Sequence, residues 1–210
     1  MSTGLTLVAA GFVAGAFWWF LFEYVLHRWA FHAMRGVGIG SREHLEHHVK
    51  ASWSFDWLLG LVWFGIALTG VAWGVAAGLL TQAAIGWGVG LGWALAYYFY
   101  EWHHRAAHLR GPRNGWEAWL RKHHFQHHFG HPMMNQGVTI PLWDIVFRTR
   151  SRPERVRVPR RLAMPWLIDE HGGVRPEYAA DYEVVGTERA GERQEQIDRA
   201  RAFANLTPVS

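Results

Sequence analysis

Residues 57–100 read WLLGLVWFGIALTGVAWGVAAGLLTQAAIGWGVGLGWALAYYFY, 44 positions without a charged side chain. A helix rises about 1.5 Å per residue, so roughly 20 residues cross a ~30 Å hydrocarbon core and this stretch is too long for one crossing. The polar pair Thr81 and Gln82 divides it into Trp57 to Leu80 and Ala83 to Tyr100, which reads as a helical hairpin with a short tip. Gly74, Gly78, Gly86, Gly88, Gly90 and Gly92 would let its helices approach closely.

Toward the amino terminus, GLTLVAAGFVAGAFWWFLF from Gly4 to Phe22 is a second uncharged run, of 19 residues. Only Met1, Ser2 and Thr3 precede it, so it lacks the basic start of a signal peptide and reads as an uncleaved span. That makes three spans. Arg28, Arg35, Arg42 and Lys50 fall between the first and second, and Arg105, Arg110, Arg113, Arg121 and Lys122 follow the third, whereas the 81–82 tip has no basic residue. Basic residues mark the cytoplasmic side, so residues 23–56 and everything after Glu101 are expected there. All 14 histidines then share one side.

The expected fold is therefore all-α, a multi-pass membrane protein with three transmembrane helices and a cytoplasmic, histidine-rich helical cap. Residues 1–150 form its membrane-embedded domain and residues 151–210 a polar cytoplasmic tail. Trp18, Trp19, Trp53, Trp57, Trp102, Trp116, Trp119 and Trp143 fall near the expected interfaces, where aromatic belts anchor helices. The tail offers a basic part suited to anionic lipid and a charged segment between about Thr187 and Leu206 that reads as a helix or as disorder. No nucleic-acid partner is expected.

The histidines fall into four boxes: HRWAFH (His27, His32), HLEHH (His44, His47, His48), HHRAAH (His103, His104, His108) and HHFQHH (His123, His124, His127, His128). At this histidine frequency an H-x-x-H-H pattern arises by chance only ~0.06 times in such a chain, and here it occurs twice. A phosphate-binding surface would use Lys or Arg, while neutral imidazole is the commonest metal ligand. The absence of cysteine removes disulfides, iron–sulfur clusters and thiolate ligation, so any metal must take nitrogen or oxygen donors.

In a helix, positions i, i+3 and i+4 share a face, which groups His44/His47/His48, His124/His127/His128 and His104/His108. His27 and His32 are five apart, off the register of a straight helix, so that pair is expected where the first span ends or bends. The candidate ligands are thus His27, His32, His44, His47, His48, His104, His108, His124, His127 and His128, enough for two ions with about five each. His103 and His123 point away from their neighbours. His131 lies between Gly130 and Pro132, where a helix stops, and His171 reads as solvent exposed. Imidazole ligands need partners on their second nitrogen. Glu23, Glu43, Glu46, Asp56, Glu101 and Asp144 are near enough in sequence, with Glu101 and Asp144 favoured because both sit beside aromatics at the inner edge of the membrane.

HRWAFH, HLEHH, HRAAH and HFQHH follow one another in the order found in the fatty acid hydroxylase / sterol desaturase superfamily of membrane metal oxygenases, which this chain resembles from about Leu21 to Thr149. NQGVTIPLWDIVFRT (Asn135 to Thr149) is similar to the corresponding stretch of the fatty acid 2-hydroxylases. The resemblance implies that the ten histidines hold two metal ions, iron for activity with zinc possible in a structure, used to activate O2. It implies a membrane lipid or fatty acyl substrate and hydroxylation of its chain. No fused cytochrome b5 domain precedes the first span, so electrons are expected from a separate donor of cytochrome b5 or ferredoxin type. A desaturase or carotenoid hydroxylase on the same centre is the alternative. A non-enzymatic metal carrier is disfavoured, because it would place ionisable residues inside the spans.

Overall fold

A computed structural model describes residues 3–52, 57–188 and 191–209. Trp53 and Asp56 lie outside the described residues. The chain is mostly helical and divides into two compact units, residues 1–23 with 55–102, and residues 24–54 with 103–210.

The first unit contains most of α1 (Thr3–Val25), all of α3 (Trp57–Leu80) and the first part of α4 (Ala83–Leu109). The 81–82 tip separates α3 from α4, as the uncharged stretch predicts. Close packing requires glycine at defined points: a Cβ at Gly92 would overlap the Phe12 carbonyl of α1, and one at Gly86 the Gly74 carbonyl of α3. An aromatic cluster fills the remaining space. Trp19 meets Trp93 edge-on with ring centroids 5.2 Å apart and Tyr97 at 4.9 Å, and both tryptophans are buried. Trp19 is thus a core residue, unlike the interfacial anchor its sequence position suggests. Leu79, Leu80 and Trp87 are 83%, 84% and 78% exposed. Water-soluble surfaces seldom show such patches.

Two helical stretches, Thr3–Ala33 and Trp57–Leu80, are long and apolar enough to cross a membrane. Helix α4 carries the third apolar stretch, diluted by Gly86, Gly88, Gly90, Gly92 and three tyrosines, and does not reach the same hydropathy.

In the second unit, α1 passes into a π-helix over Leu26–Ala33, followed by α2 (Ile39–Lys50). The end of α4 is followed by α5 (Gly115–Phe125), a second π-helical turn (Gln126–Gly130) and the short α6 (Leu142–Val146). Asn114 caps α5, its side chain accepting from Glu117 N at 2.9 Å. The buried Glu117 carboxylate accepts both Arg110 Nη groups at 2.7 and 2.9 Å, and Arg121, fully buried beside it, donates to the carbonyls of Ala106, Arg110 and Glu117. This network fastens α5 to the end of α4. The tail departs from the all-α expectation: β1 (Val156–Pro159) and β2 (Tyr182–Val185) form a two-stranded parallel ladder with Val156 opposite Tyr182. Helix α7 (Glu192–Phe203) follows and packs on α2.

Candidate metal centre

The π-helix over residues 26–33 explains the odd spacing of HRWAFH. Its hydrogen bonds run from i to i+5, so residues five apart stand above one another. His27 and His32 therefore project to the same place, both buried, with ring centroids 5.2 Å apart. The two H-x-x-H-H boxes behave alike, although one sits on a regular helix and the other crosses into a π-turn. In each, the outer i, i+4 pair points one way. The middle histidine, about 100° from its i+1 neighbour, points another.

All ten candidate histidines lie in this second unit and form two groups of five. One is His27, His32, His44, His48 and His127. The other is His47, His104, His108, His124 and His128. Within each group the donor nitrogens lie within 4.8 Å of one another. Each H-x-x-H-H box serves both groups, and His47 and His127 are the members that cross over.

In the first group, four Nε2 atoms form a closed ring: His44 to His32 2.9 Å, His32 to His127 3.1 Å, His127 to His48 3.0 Å and His48 to His44 3.2 Å. His27 Nε2 stands 3.0 Å from that of His44. In the second, His47 Nε2 is 3.1 Å from His104 Nε2, and His108 Nε2 is 2.9 Å from His124 Nε2.

The far nitrogens decide what these contacts are. His27 Nδ1 meets the Gln136 carbonyl at 2.6 Å, His127 Nδ1 that of Met134 at 2.9 Å, His108 Nδ1 that of Ala51 at 3.0 Å and His47 Nδ1 that of Ser52 at 3.2 Å. His32 Nδ1 meets Asn205 Oδ1 at 2.9 Å. A carbonyl only accepts, so each Nδ1 carries the proton and each Nε2 a lone pair. The Nε2 atoms of His32 and His127 thus face each other 3.1 Å apart with no hydrogen between them. Protonation does not relieve the conflict. Burial holds His44, His48, His124, His127 and His128 well below the ordinary imidazole value and His47 at about 4, with neighbouring imidazoles adding to the effect.

A cation among the lone pairs resolves it. Metal–imidazole bonds of about 2.0–2.1 Å at right angles place neighbouring nitrogens roughly 3 Å apart, and a tetrahedral site roughly 3.3 Å. The observed spacings match right angles. His128, buried with no protein hydrogen-bond partner on either ring nitrogen, fits the same requirement. The donor set therefore suits two ions, each with five nitrogens.

The other histidines stand apart from these groups. His103 meets Trp116 edge-on, His123 stacks on Trp119 with Nε2 3.5 Å from Asp144, and His131 and His171 are exposed. Asp144 acts at one remove. It accepts from Gln136 N and Gly137 N at 2.8 Å each and from Thr149 Oγ1 at 2.7 Å, and so shapes the loop whose Gln136 carbonyl holds His27. Glu101 lies in the first unit, one turn after Tyr97. The five partners above are four main-chain carbonyls and an amide, where sequence favoured carboxylates. Sequence reasoning also missed Asn135, whose amide binds the carbonyls of His123 and Ser151, and Tyr24, bonded to Thr149 at 3.0 Å. The stretch NQGVTIPLWDIVFRT is thus a brace behind the histidines. A buried polar side chain within it is the signal that could have marked Asn135.

The fatty acid hydroxylase family model matches residues 12–149, which include all ten histidines. The human fatty acid 2-hydroxylase is 30% identical over 151 residues, 69% of this chain and 40% of that protein. A dihydroceramide fatty acyl 2-hydroxylase of Arabidopsis thaliana is 34% identical over 142 residues, 65% of this chain and 59% of that protein. The chain thus spans about two fifths of the human relative's length and three fifths of the plant one's. No solved structure matches.

Proposed function

Given that this chain belongs to the fatty acid hydroxylase family, we propose that it is a membrane-bound two-metal oxygenase that hydroxylates the acyl chain of a fatty acid or lipid near its carboxyl or amide end. The observation that carries the reading is the pair of buried five-imidazole groups whose lone pairs converge.

His27, His32, His44, His48 and His127 would hold one ion, and His47, His104, His108, His124 and His128 the other. Two irons would supply O2 activation and electron storage, chemistry that an unactivated C–H bond requires and that redox-inert zinc does not provide. The overall conversion consumes the C–H bond, one O2, two electrons and two protons, and yields an alcohol and water. The protein's part is to keep ten imidazoles neutral and aimed. Main-chain carbonyls fix the proton on Nδ1 of His27, His47, His108 and His127, and burial excludes the protons that would compete for Nε2. Five imidazoles on each ion would hold it through nitrogen donors alone.

The proposed topology has three spans, with the 81–82 tip outside and the histidines cytoplasmic. His27 follows the last residue of α1 by two positions, and His104 and His108 continue the helix of the third apolar stretch. Histidines so close to span ends suit a substrate whose headgroup stays at the interface while its first carbons reach the metals. Electrons come from a separate protein of cytochrome b5 or ferredoxin type. The test compares lipid extracts of expressing and non-expressing cells by mass spectrometry. Acyl chains that gain one oxygen near the headgroup are expected, and chains that gain only a double bond would point to a desaturase and overturn the reading.

A further inference from the structure

Of the five second-nitrogen contacts described above, four are to main-chain carbonyls and one is to a side chain, Asn205. It lies 56 residues beyond the end of the family match at Thr149 (205 − 149). We propose that Asn205 is a positioning residue for the metal group containing His32, and that the carboxy-terminal segment is a working part of the metal centre. This rests on the two-metal reading above.

The amide grips His32 at two points. Its Oδ1 lies 2.9 Å from His32 Nδ1, and its Nδ2 donates to the His32 carbonyl at 3.1 Å. The second bond fixes which way the amide faces, because the flipped orientation would set two carbonyl oxygens against each other. With Oδ1 toward Nδ1, the ring proton is held there and the Nε2 lone pair points at His44 and His127, 2.9 and 3.1 Å away.

Helix termination alone would explain an asparagine here. Asn205 has φ 57° just past the end of α7, its N–H bonds the Ala202 carbonyl at 2.9 Å, and Leu206 N bonds that of Arg201 at 2.8 Å. Glycine serves that left-handed turn at least as well. The turn accounts for the backbone and leaves the two-point grip unexplained.

The surroundings hold the amide in place. Arg199 forms a two-pronged pair with Glu46 at 2.7 and 2.8 Å, and Glu46 lies on α2 between His44 and His47. Arg161 grips Asp198 in the same way at 2.8 and 2.6 Å. A narrow cleft lined by His48, His128, Asp198, Ala202, Leu206 and Pro208 places α7 and the residues after it against members of both metal groups. The tail, whose composition reads as a lipid-contacting basic part followed by a charged helix or disorder, is therefore clasped over the centre.

The test uses full-length protein purified in detergent, loaded with zinc so that redox chemistry does not intervene, and titrated with a chelator while bound metal per polypeptide is measured. Asn205→Gly keeps the turn and deletes the amide, and Asn205→Asp keeps the acceptor. Loss of such an outer partner typically weakens metal binding about 10–100-fold. Asn205→Gly is expected to release one ion at correspondingly lower chelator strength while the other leaves as in wild type, with Asn205→Asp, which keeps the acceptor for His32 Nδ1 but loses the bond to the His32 carbonyl, falling between Asn205→Gly and wild type. The inference fails if Asn205→Gly holds both ions as wild type does, if Asn205→Asp releases metal like Asn205→Gly, or if both ions loosen together. Wild-type protein that binds no zinc would instead overturn the two-metal reading itself.

Discussion

His127 and His124 belong to one sequence box and to different metal groups, whereas His127 and His48 are 79 residues apart and share one. That cross-assignment predicts how double substitutions combine. His127→Ala is expected to lower bound metal from two ions toward one, and adding His48→Ala should remove no further ion. Adding His124→Ala should empty both sites. Metal counted per polypeptide by elemental analysis checks this, and the reverse pattern would refute the grouping. His171, 85% exposed at its side chain, should tolerate alanine without loss of metal or product. Glu117 illustrates a different residue-scale effect. Glu117→Gln leaves Arg121 buried without its counter-charge, a change that costs about 3–5 kcal/mol. Arg110 in the first place, helped by Arg113, holds the Glu117 carboxyl well below its ordinary value of 4.5. A carboxyl lowered on folding stabilises the native state above its unfolded value, and that stability drains away as pH falls toward the folded one. Wild type should therefore lose melting temperature below about pH 4.5, and Glu117→Gln should start lower and fall less steeply over the same range.

Among the elements, the glycine faces of α1, α3 and α4 set how closely the helices pack. Without much hydrophobic force between helices in lipid, association depends on close van der Waals contact, which small residues permit. Leucine at Gly92 would drive its side chain into the Phe12 carbonyl, while Gly65 on α3 has nothing within 4 Å of where a Cβ would stand. Gly92→Leu should destabilise by at least about 1–3 kcal/mol, and Gly65→Leu should be near neutral. Thermal unfolding of both variants in the same detergent compares them. Equal melting temperatures would contradict the packing of α1 on α4. The π-helix over residues 26–33 is a second element-scale device, since an α-helical path there would turn His32 about 140° away from His27.

For the whole molecule, the decisive question is which side of the membrane each part occupies. A reporter fused at Thr81 should report the outside, and one fused at the carboxy terminus the cytoplasm. A cytoplasmic signal at Thr81 would overturn the three-span topology. With the correct topology, loss of the metal-holding histidines should abolish product without moving either reporter.

The clustering of the ten histidines and the helical hairpin were legible in the sequence, because histidine spacing and uncharged length are local properties of the chain. Which imidazoles fall into one group was not. The three histidines of each H-x-x-H-H box sit on one broad face, and only the elements packed opposite them decide that His47 and His127 cross to the other group. The partners of the far nitrogens escaped for a related reason: a main-chain carbonyl exists at every position, so no residue type announces the ones at Ala51, Ser52, Met134 and Gln136. Asn205 reaches His32 across 173 positions, a contact supported by Arg199, which pairs with Glu46 and so holds α7 against the helix that bears His44 and His48. Sequence determined the chemistry available to this protein, and tertiary packing decided its assignment, since lone pairs must converge in space and convergence is a property of the folded chain alone.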